Sequence, residues 1–246
     1  MEVALFLTCR ATPRFPCGSL DTIEPSLAGI PGLLRGVMHE ASVASDPYLN
    51  DNGSPVQVLQ LYFDELAAVD EATRRDSPLA VSIEAALGAS AHESSTHITQ
   101  QAMIVRRFSP DAWTETDAGA SPGSPCCTYL VAYEGVPQDY AAWLGHYLDV
   151  HVPLMRQLPR LRELEIYTRL DWVSGLPLPL DNATQRNKVV FDSPAALTDA
   201  LNSPIRHAMR RDFEVSPPFS GHVTHYPMTS RPVAIPSLQS HPSSQR

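Results

Sequence analysis

This 246-residue chain is short of charge: Asp, Glu, Lys and Arg make up only 18% of it, with 27 acidic against 18 basic side chains and a net charge of −9. Without a basic field there is nothing to displace counterions from a phosphate backbone, so nucleic acid is excluded as a partner. Long apolar runs are missing too. No stretch approaches the roughly 18 apolar residues of a membrane span, so no membrane association is expected. The early segment VALFLT follows Glu2, has no basic residues before it, and is too short for a signal h-region. It reads as a strand. Cysteine is scarce: Cys9, Cys17, Cys126 and Cys127 show neither C-x-x-C nor zinc spacing. Adjacent Cys126 and Cys127 read as ordinary thiols of a cytoplasmic protein, and no metal is expected. Also absent are G-x-G-x-x-G, G-x-x-x-x-G-K-[ST], H-E-x-x-H and G-x-S-x-G, which disfavours nucleotide sites, zincins and the common serine-hydrolase layout.

What is abundant is apolar side chain, 43% of the total, enough to fill a core. Strands are read at Val3–Thr8, Leu33–Val43, Val56–Phe63 and His97–Arg106, with a weak helix at Ser19–Gly29 and helices near Glu65–Arg75 and Leu79–Leu87. That order is βαββαβ, the ferredoxin-like unit. Ser109–Pro125 is a linker by composition. The order then repeats: a strand at Cys127–Glu134, a helix over Pro137–Gln157, strands at Leu161–Leu170 and Arg186–Phe191, a helix over Pro194–Phe213, and a strand at Gly221–Met228. Residues 229–246 read as a Pro/Ser-rich tail. The halves also align directly. Pro31 and Pro159, Pro25 and Pro153, and Phe63-Asp64 and Phe191-Asp192 are each 128 residues apart; His97-Ile-Thr99 and His222-Val-Thr224 are 125 apart. The chain is a tandem duplication, with repeats at 1–108 and 126–228. A four-stranded sheet with helices on one face leaves the other face open, and two fused copies can close it against each other. In Leu161–Leu170, Leu164 and Ile166 should then meet helices while Glu165 and Tyr167 meet the partner sheet, where buried charges must pair or be wetted.

The segment Tyr140–Pro159 concentrates the chemistry. At helical spacing Trp143, Tyr147 and His151 share a face, and Pro153 should bend or end the helix just past the histidine. A histidine there can titrate near neutrality and face a cavity; a core histidine satisfied by a backbone carbonyl would give the same pattern. In the first half Ile23 stands at the position of His151, Ser19 at that of Tyr147 and His39 at that of Tyr167. The first half is therefore read as a degenerate structural partner. His222 and His225 fall on opposite strand faces, a poor metal pair, and read as a solvated strand end.

The run from Tyr147 through His151-Val-Pro153-Leu154 to Leu158-Pro159 resembles the H-x-P-L signature of EthD-like domains. Phe191–Leu197, Ser203-Pro204 and Asp212-Phe213 resemble that family's last strand and helix. The resemblance covers about 127–228 and implies an α+β fold, here tandem ferredoxin-like βαββαβ repeats forming an intramolecular dimeric α+β barrel. It implies a cofactor-independent lyase, isomerase or cyclase acting on a small hydrophobic or aromatic metabolite in a catabolic or biosynthetic pathway. His151, Tyr147 and Asp212 are then the candidate catalytic groups, and Trp143, Tyr133, Tyr167 and Met155 the candidate substrate contacts. Two alternatives stand beside it: a non-catalytic binding or pathway accessory protein, and a haem-binding barrel. A homodimer is compatible with either.

Overall fold

β1 (Val3–Cys9) is buried along its whole length because both of its faces are covered. Val3, Leu5 and Leu7 pack toward helices, while Ala4 and Phe6 join a separate apolar cluster inside a barrel. The structure, a computed structural model, describes residues 1–10, 20–48, 54–87, 97–111 and 125–235. After β1 come a short 3₁₀ helix (Leu20–Leu27), β2 (Leu33–Ala41), β3 (Gln57–Phe63), α1 (Leu66–Ala72), α2 (Pro78–Leu87) and β4 (Ile98–Phe108). The second repeat has β5 (Cys126–Pro137), α3 (Tyr140–His146), a π-helical turn (Tyr147–His151) and α4 (Val152–Met155). It continues with β6 (Glu163–Arg169), β7 (Gln185–Phe191), α5 (Pro194–Leu201), α6 (Pro204–Val215) and β8 (Phe219–Pro232).

Each repeat forms an antiparallel sheet, β4-β1-β3-β2 and β8-β5-β7-β6, and the two join through β2–β8 and β4–β6 into one closed barrel. Closure removes every sheet edge. The open face is thus covered within one chain, and a homodimer would have to use some other surface. Two helix-side cores flank the barrel, one per repeat. No helix among the described residues is long and apolar enough to cross a membrane.

The barrel interior holds the polar face anticipated for β6. Glu165 and Tyr167 point inward and are buried, while Leu164 and Ile166 pack into the second repeat's helix-side core. Glu165 accepts from Tyr62 Oη at 2.6 Å, from Tyr167 Oη, and from Arg35 and Arg107 at 2.8 Å each. Lys188 Nζ lies 3.4 Å from Glu165 and 2.8 Å from Glu163. From Tyr167 the network continues through Gln60 to His39, Ser230 and Thr128.

Several boundaries differ from the sequence reading. The helix expected over Pro194–Phe213 is two, because Pro204 starts a new helix and Asn202 caps the first. β8 runs on to Pro232, so the residues just after Met228 are strand paired with β2 rather than tail. Residues 112–124 of the linker and 236–246 of the tail lie outside the described residues. Cys126 and Cys127 are free, as read, whereas Cys9 is disulfide-bonded.

Candidate functional site in the second repeat

Asp139 starts α3 as its N-cap, its carboxylate accepting from Ala142 N at 3.0 Å. Trp143 then faces inward, and the chain widens into the π turn, where Val152 N reaches back five residues to the Tyr147 carbonyl. Pro153 has no N–H to give the carbonyl one turn earlier, and the extra residue taken up ahead of it absorbs that mismatch. The helix therefore does not end at His151. The irregularity lies before the proline, and the helix continues to Met155. In the widened turn the Tyr147 and His151 rings sit 4.7 Å apart.

His151 is held from α6. Its Nδ1 lies 2.7 Å from Asp212 Oδ2, and Asp212 Oδ1 lies 2.8 Å from His146 Nε2. A carboxylate only accepts, so His151 donates through Nδ1–H and keeps its lone pair on Nε2. Burial lowers the His151 pKa below the ordinary 6.5, with the Asp212 contact acting in the opposite sense. That direction favours the neutral imidazole. Tyr147 and Tyr133 are the reverse case: burial pushes Tyr147 well above its ordinary value and Tyr133 up to about 12, so both stay protonated as donors. Asn187 Nδ2 donates to Tyr147 Oη at 2.6 Å, and that hydroxyl also meets Met155 Sδ at 3.6 Å and the hydroxyl of Tyr133.

These groups open on a cavity of about 290 Å³ between the helices and the outer face of the sheet. His151, Tyr147, Tyr133 and Met155 line it. Trp143 stands one layer back, its ring 5.3 Å from that of Phe219 and 5.4 Å from Tyr133; it supports the wall rather than forming it. Asp212 supports His151 from behind. Tyr167 is elsewhere, a correction to the sequence reading. Strand alternation turns it with Glu165 into the barrel interior, edge-on to Phe6 at 5.0 Å. Sequence reasoning missed His146, Asn187, Tyr129, Arg206 and His225. His225 was set aside as a strand end, yet it lines the cavity with Val223, the same-face neighbour two residues before it.

At the equivalent place in the first repeat Ile23 is core. Ser77-Pro78 and Ser203-Pro204 both begin helices and lie 126 residues apart, which sets Ala80 opposite Arg206 and Ala86 opposite Asp212. Histidine, carboxylate and guanidinium are therefore missing together. Leu176 and Leu178, reaching over from the β6–β7 connection, pack into the first repeat's core.

No described protein family matches the chain by sequence, and neither does any curated protein. Solved structures do match along nearly its full length. An anthrone oxidase-like protein superposes with a TM-score of 0.58 at 14% identity, covering 96% of both chains. A protein of Fusobacterium nucleatum provisionally named a monooxygenase gives 0.54 at 8% identity, covering 95% of this chain and 92% of that one. Another so named from Lactobacillus acidophilus gives 0.51 at 10% identity, with 93% of each covered. The fold is the dimeric α+β barrel. At these identities the likeness establishes the barrel alone; chemistry has to be argued from the residues.

Proposed function

We propose that the second repeat is the working half of an enzyme that binds a small hydrophobic or aromatic molecule in this cavity and moves a proton through His151 without a bound cofactor. The observation that supports it is the Asp212–His151 pair at the wall of an aromatic cavity, with Nδ1 on the carboxylate and Nε2 left for a ligand. An activated C–H or O–H acid placed against Nε2 loses its proton to it, and Asp212 stabilises the imidazolium formed. The Tyr147 hydroxyl, which lines the cavity beside the Met155 thioether and the Tyr133 hydroxyl, can turn its proton to a developing oxyanion, a better acceptor. A positioned base of this kind contributes about 10²- to 10⁴-fold in rate.

The fate of the anion divides the readings. Isomerisation or elimination returns the proton elsewhere. The names of the superposing structures, oxidase-like and monooxygenase, favour a second reading in which the anion gives electrons to dioxygen. Haem fits the cavity poorly: 290 Å³ is at the small end of ligand pockets, and the two arginines that line it already pair with Asp46 and Glu214. The test is a panel of aromatic carbon acids in D₂O, followed by NMR for deuterium uptake at carbon and by an oxygen electrode. Proton exchange without oxygen uptake supports isomerase or lyase chemistry, and exchange with uptake supports oxidation. Binding with neither makes the protein a binding or accessory module.

A further inference from the structure

The cavity belongs to the second repeat, but one of its walls is held by the first. After β2 the stretch 42–48 crosses onto the second repeat, where Ser42 N donates to the Pro227 carbonyl at 3.0 Å, Ser45 N to Thr198 Oγ1 at 3.2 Å, and Ala44 packs on the helix-side core. Asp46 is its buried anchor. Asp46 Oδ2 accepts from Tyr129 Oη at 3.0 Å and from Arg206 Nη2 and Nε at 3.0 and 3.2 Å; the two side chains of the ion pair are 4% and 9% exposed. Tyr129 and Arg206 line the cavity, and Asp46 sits behind them.

The other charged or titratable side chains around the cavity leave Arg206 as its distinctive cation. Asp212 is shared by His146 and His151, Arg210 pairs at 2.8 Å with exposed Glu214, and the His225 ring lies 5.6 Å from that of Tyr129. Left alone, a guanidinium nine-tenths buried in an aromatic pocket would be a bidentate receptor for a carboxylate. Asp46 already fills that role. An incoming carboxylate would have to lose its water beside a neutralised arginine, an uncompensated cost.

We infer that Asp46 is a specificity-determining residue: by neutralising Arg206 from the neighbouring repeat, it tunes the cavity to uncharged aromatic ligands and against aromatic carboxylates. This rests on the reading of the cavity as the ligand site. The reciprocal crossing brings Leu176 and Leu178 of the β6–β7 connection into the first repeat's core.

The experiment compares 1-naphthol with 1-naphthoate, near neutral pH, by calorimetry on the full chain and on Asp46→Asn. The wild type should bind naphthol at least tenfold more tightly than naphthoate. In Asp46→Asn naphthoate should tighten tenfold or more, while naphthol stays within about threefold. Naphthol binding with no gain for naphthoate in the variant overturns the role of Asp46 and leaves the cavity reading intact. Failure of both probes on both proteins overturns the cavity reading itself. If Asp46→Asn is unfolded on its own, naphthoate should restore its folded signal by supplying the missing carboxylate, and naphthol should not. Failure of naphthoate to do so overturns the proposal.

Discussion

Replacing Glu165 with Gln tests what the buried charge network inside the barrel contributes to stability. Glu165 is 2% exposed and comes from the second repeat, whereas Tyr62, Arg35 and Arg107, three of its partners, come from the first. The amide is nearly isosteric, so little packing changes. Lys188, 3% exposed, is left with Glu163, whose side chain is half exposed. Removing one partner of a buried ion pair costs about 3–5 kcal/mol. Arg35 and Arg107 are a third to a half exposed and add at most about 1 kcal/mol each. For a chain of this size, 3–5 kcal/mol lowers Tm by roughly 6–20 °C. The pH dependence is a second signature. Burial alone would raise the Glu165 pKa, but Lys188, Arg35 and the two phenols outweigh it and hold the carboxyl at about 2, against 4.5 unperturbed. A depressed carboxyl contributes stability above its unfolded pKa and loses it as pH falls, here between about 4.5 and about 2. Urea melts across that range should show the wild type and Glu165→Gln converging. A variant less than about 1 kcal/mol weaker at pH 7, or a gap that does not close in acid, would refute the reasoning.

Three further outcomes follow. Ile23→Val should cost about 0.5–1.5 kcal/mol in a denaturant melt and leave proton exchange unchanged, since Ile23 is core; a functional loss matching that of a His151 variant would contradict the asymmetry of the repeats. Leu176→Ala should cost about 2–5 kcal/mol by opening a void in the first repeat's core, again with activity retained once folding is matched. In wild type the acidic limb of kcat/KM should lie below pH 6.5, because burial lowers the His151 pKa and a base works only above it. In Asp212→Asn, which removes the group that raises that pKa, the limb should move to still lower pH as the rate falls; an unmoved limb would show that Asp212 does not act on His151.

The barrel was legible because duplication carries it. Pro31 and Pro159, or Phe63 and Phe191, cannot keep a constant spacing unless the elements around them repeat, and the alternation in β6 told which side chains face the partner sheet. The candidate site was only half legible. His151, Tyr147, Tyr133 and Met155 are gathered by one helix and its neighbouring strand, within reach of periodicity. Tyr167 went wrong because both faces of its strand are buried, and the pattern alone does not say which one holds the cavity. Asp46 and Arg206 lie 160 residues apart in different repeats, and a crossing between repeats leaves no local signal. The π turn also escaped, since a proline marks that a helix must adjust but not on which side. His225 could have been found by pairing it with Val223 along β8.

The central claim, that His151 moves a proton in an aromatic cavity, is tested most directly by deuterium uptake from D₂O at the acidic carbon of a bound aromatic carbon acid, in wild type and His151→Gln. Glutamine keeps much of the volume and can still bond Asp212, but it does not titrate. The account predicts that the variant folds and binds the ligand with similar affinity while exchange falls by about 10²-fold or more. A variant that folds, binds and exchanges at the wild-type rate would contradict it.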